Sequence, residues 1–433
     1  MSCGFCTVAT EAGGQAAAEE LAFDHAEGIF VPRSTASGSY DADFVCPGAS
    51  MDMPALALQK HGELPENSML GTCIESQVVY ATDEEIREKA ASGGTVYAVL
   101  KHLFEEGRIE LAYVADRGAS PYDGKGSVLT SVENFGGAHG SHYHPVNFGH
   151  ALNDLFAQDK PFAFVGLPCH IAGLEMLKAK RADIKKNHVF SVGLFCGGIN
   201  KHEGIAYYLS SFGLKWQHIK NLEYRFGNWP GNIRLEMADE KPARIIPRIR
   251  GNTRWKILRY VMAFQGYWML KRCRNCPDQV SDFADIAVGD PHLKRLRDRG
   301  ESGFSIALAR TPQGRDVLHQ LIDRGALAAE PISIEETIES QGFTIENRRH
   351  VEAYRWASGK LAMAFPNITV YPSLKNFTFQ HKVFALVDLG KIRLQKVKPL
   401  RLLYYPWQIF EYLFLTFAPR LIIRRLLNLL KNR

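Results

Sequence analysis

Eight cysteines are the residues of this 433-residue chain whose type and spacing could do chemistry. Cys273 and Cys276 are three positions apart, and a tight turn can direct both thiolates at one metal centre. Cys169 and Cys196 are single cysteines in the glycine- and proline-containing sequences Gly-Leu-Pro-Cys-His and Leu-Phe-Cys-Gly-Gly. Clustered cysteines in a reducing compartment usually bind a metal or take part in redox chemistry. We therefore predict that these four cysteines are the ligands of one metal centre.

The other four cysteines lie in residues 1–80. Cys3 and Cys6 repeat the Cys-x-x-Cys spacing and resemble a piece of a ferredoxin cluster loop. Cys46 precedes a proline, as the distant last ligand of such a loop often does. Cys73 has no motif around it and completes the set by count. The segment is poor in periodic apolar residues, so a metal cluster would supply the order that a core does not. These features predict a second four-cysteine site.

Other interpretations of the cysteines stay open. Four cysteines also suit zinc, although structural zinc sites usually pair two short knuckles and the first set has only one. Cys169 precedes His170, which is compatible with a nucleophile and its base, but sequence neighbours rarely reach that geometry. A cysteine taken alone is most often a small buried hydrophobic residue. Arg272 and Arg274 flank Cys273 and would favour thiolates electrostatically, which supports metal binding.

Short apolar runs and helical stretches alternate from about residue 82 and must position these cysteines. The predicted strands include 111–115, 161–166 and 189–195, with helical stretches at 147–158 and 171–180. This order predicts an α/β fold with a mainly parallel sheet core, an irregular N-terminal segment and a helical C-terminal tail. Cys169 and Cys196 directly follow two of the strands. Loops at the carboxyl ends of parallel strands converge on the usual ligand crevice.

The four residues that open one predicted helix could bind a phosphate group. They are Ser92, Gly93, Gly94 and Thr95. Unhindered backbone N–H groups and the positive end of the helix dipole both suit an anion. The alternative is an ordinary glycine-rich helix cap with no ligand.

Three further stretches carry polar or aromatic groups. Residues 137–145 hold several histidines, which would suit zinc or simply a polar loop. Asp290 ends a strand near Cys276 and could orient a loop or bond a cofactor, or be a surface turn residue. Residues 224–231 supply aromatic and cationic groups that could line a pocket for a planar molecule or merely pack.

The charge distribution argues against a nucleic-acid partner. The formal net charge is +6, but residues 391–433 alone contribute +9, so the rest of the chain is close to neutral. A nucleic-acid-binding protein more often spreads basic residues over a domain face. The N-terminus lacks the basic and apolar regions of a secretory signal, so we expect a cytoplasmic protein.

Residues 399–433 differ from the rest of the chain. An aromatic and apolar stretch is interrupted by Pro406 and Glu411 and falls short of a membrane-spanning helix. A basic amphipathic segment follows from Leu421, a pattern typical of a helix lying in a membrane interface. This predicts peripheral contact with the inner face of a membrane. Packing on the protein body or on a partner protein is the alternative.

Six short motifs make the chain resemble the coenzyme F420 hydrogenase/dehydrogenase beta-subunit family, which includes divinyl chlorophyllide reductase and 7-hydroxymethyl chlorophyll a reductase relatives. The motifs are Ala91-Ser-Gly-Gly-Thr, Gly140-Ser-His-Tyr, Gly166-Leu-Pro-Cys-His-Ile-Ala-Gly, Gly193-Leu-Phe-Cys-Gly-Gly, Cys273-Arg-Asn-Cys and Ala284-Asp-Ile-Ala-Val-Gly-Asp. The resemblance covers about residues 70–345. Six motifs in this order identify the family but not the substrate.

The resemblance implies a protein that binds FAD and one or two 4Fe-4S clusters. It implies electron exchange between ferredoxin or a deazaflavin and a small conjugated organic substrate. His142 stands where the family often has lysine and is the candidate catalytic residue. The residues implied near the flavin are Ser92, Gly93, Gly94, Thr95, Gly140, Ser141, Tyr143 and Asp290. The family commonly has another cysteine before the position of Cys3, and Cys73 is the candidate substitute.

Four regions follow from these patterns. They are a cysteine-rich, ferredoxin-like segment (1–80), an α/β flavin-binding domain (81–210), a second α/β domain with the Cys-x-x-Cys loop (211–350), and a linker with a basic amphipathic tail (351–433). A homo-oligomer is compatible with the sequence. The alternative function is a zinc-stabilised accessory or binding protein in membrane-associated polysaccharide assembly. A third hypothesis, a transferase with a cysteine nucleophile, depends on Cys169 alone.

Overall fold

A computed structural model of the protein describes most of the chain up to residue 395. The described residues are 3–8, 20–25, 28–33, 45–239, 241–248, 263–264, 268–299, 303–395 and 406. The predicted membrane-interface tail at 399–433 therefore lies outside the described residues, apart from Pro406. Within the described part of the chain, no helix is both long enough and apolar enough to cross a membrane.

The described residues form the following strands and α-helices, given in chain order. The strands are β1 (Glu20–Asp24), β2 (Ile29–Arg33), β3 (Ser50–Asp52), β4 (Glu75–Ala81), β5 (Leu111–Arg117), β6 (Gly124–Leu129), β7 (Phe162–Gly166), β8 (His188–Leu194), β9 (Ile219–Phe226), β10 (Asn232–Met237), β11 (Arg244–Ile246), β12 (Ile286–Gly289), β13 (Ser305–Ala309), β14 (Leu327–Pro331) and β15 (Asn367–Thr369). The α-helices are α1 (Met53–His61), α2 (Glu84–Lys89), α3 (Thr95–Glu105), α4 (Leu152–Phe156), α5 (Pro168–Lys178), α6 (Ala182–Asn187), α7 (His202–Ser210), α8 (Lys271–Arg274), α9 (Lys294–Arg297), α10 (Pro312–Asp323), α11 (Ile334–Lys360) and α12 (Phe379–Gln395).

Eight strands form a central sheet in the order β14-β4-β13-β12-β8-β7-β5-β6. The four inner strands β12, β8, β7 and β5 pair in parallel. The outer pairings are antiparallel. The inner strands are continuous apolar runs because helices cover both of their faces. The predicted α/β fold with a parallel sheet core is thus confirmed, and antiparallel strands extend it on both sides.

The central sheet includes strands from both sides of residue 210, where the sequence suggested a domain boundary. β4, β5, β7 and β8 precede this position, whereas β12, β13 and β14 follow it. Residues 219–246 form a separate three-stranded antiparallel sheet in the order β11-β10-β9, which we call the small sheet. The boundary therefore divides one sheet, because the chain leaves it after β8, builds the small sheet and returns.

Alternating side chains of the inner strands enter two apolar cores. Phe162 and Phe164 point to the face covered by α1 and α5. Ala163 and Val165 point to the opposite face, covered by α3 and α10. This period of two places one helical layer on each side of the sheet.

The N-terminal loop packs on the α5 side of the sheet. Gly4 has a φ of +78° and lies so close to Gly149 that a methyl group on it would come within 1.9 Å of the Gly149 Cα. The ring of Phe5 packs against Gly173 of α5, where a Cβ would lie 2.7 Å from a ring carbon. Glycine is required at Gly4 by both its backbone angle and this contact. These contacts bring the first cysteines of the chain to α5.

Candidate functional site

Four cysteines meet at the carboxyl ends of two parallel neighbours of the central sheet. Cys169 is the second residue of α5, which follows β7, and Cys196 lies two residues after β8. Cys273 lies in α8, and Cys276 lies two residues beyond that helix. The four side chains act electrostatically on one another, so they lie close together. We call Cys169, Cys196, Cys273 and Cys276 the central group.

Backbone hydrogen bonds hold the Cys-x-x-Cys segment against the loop that follows β8. The N–H of Leu270 donates to the carbonyl of Ile199 at 2.9 Å. Two N–H groups of the same loop point at sulfur: Gly198 donates to Cys196 Sγ and Ile199 to Cys273 Sγ, both at 3.4 Å. N–H groups directed at sulfur stabilise negative charge there and are one means by which a protein tunes a cluster.

The four residues of the central group are partly buried, and three of their thiols are shielded from water. Burial raises the pKa of Cys196 to about 12 and that of Cys276 to about 11. Burial also raises the pKa of Cys169 well above its usual value. Thiolates here therefore need positive charge beside them, which a bound metal centre supplies. The four thiols and their N–H donors fit a thiolate-ligated cluster. Among the described residues, no group of three or more His, Cys, Asp or Glu is spaced to hold a single metal ion.

Cys3, Cys6 and Cys46 form a second set, which we call the N-terminal group. Cys6 interacts electrostatically with both Cys3 and Cys46, and Cys3 interacts with Cys46. Cys3 and Cys6 are buried, and burial raises the pKa of Cys6 to about 12. Cys3 also acts on Cys169, so the two groups are neighbours.

Cys73 was predicted to complete the N-terminal group, but the structure places it elsewhere. It packs with a different apolar cluster, and its charged neighbours are Arg310 and Glu75. Its thiol donates to the carbonyl of Glu75 at 3.4 Å. The N–H of the next residue, Ile74, donates to the carbonyl of Ala309 in β13 at 2.8 Å. This hydrogen bond fixes this part of the chain to the sheet. The predicted set of four is therefore reduced to three.

His170 is occupied by packing and helix capping. Its Nδ1 accepts a hydrogen bond from the N–H of Leu167 at 3.3 Å, and its ring stacks on Phe148 with centroids 3.8 Å apart. Burial lowers its pKa to about 3, so the ring is neutral. This geometry gives no support to a Cys169–His170 nucleophile.

A cavity of about 770 Å³ opens between the small sheet and the loops that follow β6 and α2. Its walls include residues 222–231, the aromatic and cationic stretch noted in the sequence, and also Gly140, Ser141 and His142. Its basic lining residues are Arg87, Lys89, Arg117, Arg225 and Arg234. Its acidic lining residues are Glu88, Glu133 and Glu223.

Four of the basic lining residues were missed by sequence reasoning. Arg87 and Lys89 lie on α2, Arg117 on β5 and Arg234 on β10, and no motif marks them. Only the fold brings them to one cavity. Arg225 is paired with Asp290, and Lys89 is paired with Glu85. Three arginines and three glutamates remain in the walls, so a ligand would meet groups of both charges.

The predicted phosphate-binding residues lie behind the cavity wall. Ala90, Ala91 and Gly303 line the cavity, but the residues from Ser92 to Thr95 do not. The N–H of Gly93 donates to Ser305 Oγ at 2.9 Å, and the hydroxyl of Ser92 donates to the Phe304 carbonyl. Gly94 has a φ of +79° and caps α3, and Thr95 is buried. The Gly93 N–H is thus used to hold this loop against β13.

Tyr143 and Asp290 belong to one buried network at the cavity wall. Arg225 donates two hydrogen bonds to the carboxylate of Asp290, at 2.8 and 3.2 Å, and one to the Tyr143 hydroxyl at 3.3 Å. Trp229 Nε1 also donates to Asp290, at 3.3 Å. Burial alone would raise the pKa of Asp290, but the Arg225 charge holds it well below its usual range. Asp290 is therefore an ionised residue that orients two cavity-lining side chains.

His142, the candidate catalytic residue, lines the cavity directly. Burial lowers its pKa to about 4, so its ring is neutral near pH 7. Its Nε2 is buried and has no hydrogen-bond partner among the described residues. The ring of His144, which bonds to Tyr224 through Nδ1 at 2.9 Å, lies 5.6 Å from it. Nε2 of His142 is thus an unpaired polar atom that lies beneath the cavity surface.

A short chain of contacts connects the central group to the cavity. Cys196 follows Phe195, whose ring packs so closely on Gly289 that a Cβ there would lie 2.2 Å from a ring carbon. Gly289 is followed by Asp290, which bonds to Arg225 in the cavity wall. The central group and the cavity wall are therefore connected through Phe195, Gly289 and Asp290.

Two family models match this chain. Residues 77–153 match the model for the N-terminal part of the coenzyme F420 hydrogenase/dehydrogenase beta subunit. Residues 159–335 match the model for the C-terminal part of the same family. Together the two matches cover more than half of the chain.

Curated relatives are similar at low identity. The chain is 26% identical to the F420-dependent formate dehydrogenase 1 subunit beta of Methanococcus maripaludis, over 50% of this chain and 52% of that protein. It is 24% identical to the F420-dependent formate dehydrogenase subunit beta of Methanocaldococcus jannaschii, over 61% of this chain and 65% of the relative. The matches thus span between half and two thirds of these two relatives. The coenzyme F420 hydrogenase subunit beta of Methanosarcina barkeri is 23% identical, over 66% of this chain and 95% of its own length.

A solved structure shares the fold. A chain of the F420-reducing [NiFe] hydrogenase complex from Methanosarcina barkeri superimposes with a TM-score of 0.53 at 19% identity. The superposition covers 71% of the present chain and 99% of the other.

Proposed function

The chain belongs to the coenzyme F420 hydrogenase/dehydrogenase beta-subunit family, and on that premise we propose that it is an iron–sulfur flavoprotein oxidoreductase. It would exchange electrons between a deazaflavin or ferredoxin carrier and a small conjugated organic substrate. The observation that carries the proposal is the four-cysteine central group, which is connected through Phe195, Gly289 and Asp290 to a cavity lined by arginines. The cavity volume is in the range of small-molecule and cofactor pockets.

The central group would hold a 4Fe-4S cluster. Each thiolate of such a cluster binds a different iron atom, whereas the ligands of zinc surround one ion at about 2.3 Å. The N–H groups of Gly198 and Ile199 would lower the cost of negative charge at Cys196 and Cys273. The N-terminal group would hold a second cluster through three cysteines. Cys73 lies apart from the N-terminal group, so the fourth ligand of this second cluster would not be a cysteine.

The cavity would hold FAD and the adjoining part of the substrate. When bound, flavin supplies one- and two-electron chemistry that joins cluster electron transfer to hydride-level reduction. Arg87, Arg117 and Arg234 would bind anionic groups of the flavin or the carrier. His142 would place a neutral imidazole in the wall against the ligand.

Cofactor analysis after anaerobic purification tests the proposal. We expect flavin absorption, a broad shoulder near roughly 400 nm, and about four iron and four sulfide per central cluster. Cys196→Ala should lose the iron of the central group. Cys73→Ala is the matched control and should keep it, since Cys73 packs apart from both groups. A colourless protein that contains zinc would instead favour the accessory-protein alternative.

Steady-state assays then identify the carrier. Reduced deazaflavin and reduced ferredoxin are each offered to the flavin-loaded protein, and flavin reduction is followed by absorbance. Reduction by either carrier supports the proposal. A flavin that neither carrier reduces in protein with full iron and flavin content would count against it.

A further inference from the structure

Arg272 directly precedes Cys273 and lies beside both groups of cysteines. Its guanidinium interacts electrostatically with Cys169, Cys273 and Cys276 of the central group and with Cys3 of the N-terminal group. Cys3 and Cys169 also interact with each other. One cation is therefore shared between two sets of sulfur atoms.

The guanidinium of Arg272 has no acidic partner in the described part of the chain. Its Nε and one Nη are buried and make no hydrogen bond there. The other buried arginines nearby differ: Arg274 pairs with Asp388, and Arg348 forms two hydrogen bonds with Asp282, at 2.9 and 2.6 Å. Arg272 is partly buried, and a cation taken out of water without a counter-charge is unfavourable, so such charges are nearly always paired. The groups around Arg272 that can carry negative charge are cysteine thiols.

We infer that Arg272 is the shared counter-charge of both cysteine groups and sets the reduction potentials of the two centres together. The inference rests on the proposed function, because it requires clusters at both groups. Reduction adds one electron to a centre and makes its net charge more negative. The guanidinium keeps its proton in proteins, so it offsets the added charge without any bond or proton change. A cation held next to both groups therefore favours the reduced state at each.

Three variants separate this role from packing. Arg272→Gln removes the charge but keeps a long polar side chain. Arg272→Lys keeps the charge. Lys271→Gln is the matched control, because it removes one positive charge from the adjacent position, where the side chain is exposed.

Each variant is purified anaerobically and its iron and sulfide are measured. Both centres are then titrated against dithionite, with visible absorption and electron paramagnetic resonance as the readouts. For Arg272→Gln we expect both midpoint potentials to fall. The expected fall corresponds to a tenfold change in the reduced-to-oxidised ratio, which is about 59 mV for a one-electron couple. Arg272→Lys and Lys271→Gln should stay close to the parent.

Unchanged potentials in an iron-loaded Arg272→Gln protein would overturn the inference, and so would a shift at only one centre. If Arg272→Gln loses iron but Arg272→Lys retains it, the shared charge is supported; equal loss from both variants counts against it. A parent protein without iron and sulfide refutes the proposed function itself. Iron content therefore tests the proposed function, and the midpoint potentials test the role of Arg272.

Discussion

Arg225 and Asp290 form a two-point ion pair, with Nη1–Oδ2 at 2.8 Å and Nη2–Oδ1 at 3.2 Å. Arg225 belongs to β9 of the small sheet, and Asp290 directly follows β12 of the central sheet. The pair therefore fixes the small sheet to the central sheet at the wall of the cavity. Its side chains are 5% and 17% exposed, so solvent screens it weakly.

Asp290→Asn should destabilise the protein and weaken flavin retention. The substitution keeps the shape of the side chain but leaves the Arg225 charge without its carboxylate. Removing one partner of a buried pair costs about 3 kcal/mol or more in the free energy of unfolding, measured by urea denaturation. Lys89→Ala, which removes an exposed pair with Glu85, should cost much less, because solvent screens that pair. Equal unfolding free energies for the two variants would contradict the role assigned to Asp290.

Asp388→Asn should speed the release of iron from the central group. Asp388 lies in α12, beyond the residues that match the family models, and it pairs with buried Arg274 between the two cysteines of the Cys-x-x-Cys turn. Without the carboxylate the turn loses its charged link to α12. Iron transfer to a chelator under anaerobic conditions measures the effect. Tyr354→Phe removes the 2.8 Å hydrogen bond to Asp388 but keeps the ion pair with Arg274, so it serves as the control. A release rate equal to that of the parent would show that α12 does not hold the turn.

His188 should make the protein less stable in acid. Burial lowers its pKa to about 3, whereas an unfolded histidine titrates near 6.5. As the pH falls below 6.5 the unfolded chain takes up a proton that the folded chain does not, so the free energy of unfolding decreases. The decrease reaches at most about 2 kcal/mol at pH 5 and continues towards pH 3.

Urea denaturation of His188→Gln between pH 8 and pH 5 measures this contribution. The variant should show a shallower fall in unfolding free energy than the parent. His25→Gln, at an exposed turn position, is the matched control for the substitution itself. Identical slopes for the parent and His188→Gln would remove His188 as a source of acid sensitivity.

Gly4→Ala should displace the N-terminal loop and empty the N-terminal group of iron. A Cβ at this position would lie 1.9 Å from the Gly149 Cα, and the φ of +78° disfavours any side chain. Gly62→Ala is the matched control, since Gly62 has a φ of +81° and its Cβ would meet nothing within 4 Å. We expect Gly4→Ala to lower the iron content and Gly62→Ala to leave it unchanged. The iron content of both variants is measured. Full iron content in Gly4→Ala would mean that the close contact with Gly149 is not needed for iron binding.

Deletion of residues 399–433 should abolish binding to anionic liposomes. The expectation comes from the basic and aromatic composition of this segment, which suits a membrane interface. Sedimentation with anionic and with neutral vesicles measures it. Pelleting of the shortened chain as efficient as that of the full chain would contradict the prediction.

The sequence alone determined the features that depend on short-range patterns. Apolar runs of five to seven residues alternate with helical stretches, and this order is enough to predict an α/β fold with a parallel core. Cys169 and Cys196 directly follow two such runs. Their meeting point at one sheet edge therefore follows from the geometry of parallel strands, and the structure brings them together with Cys273 and Cys276.

Only the tertiary structure decided the features that depend on how distant segments pair. Cys73 carries no local signal, and its separation from the N-terminal group follows from the position of β4 between β13 and β14. The N–H of Gly93 is taken by Ser305, 212 positions away in the sequence. The ion pair of Arg225 with Asp290 and the position of Arg272 beside both cysteine groups depend in the same way on strands and loops that meet after folding. Burial and pairing of charge are set by the whole packed structure, so residue type and spacing cannot reveal them in advance.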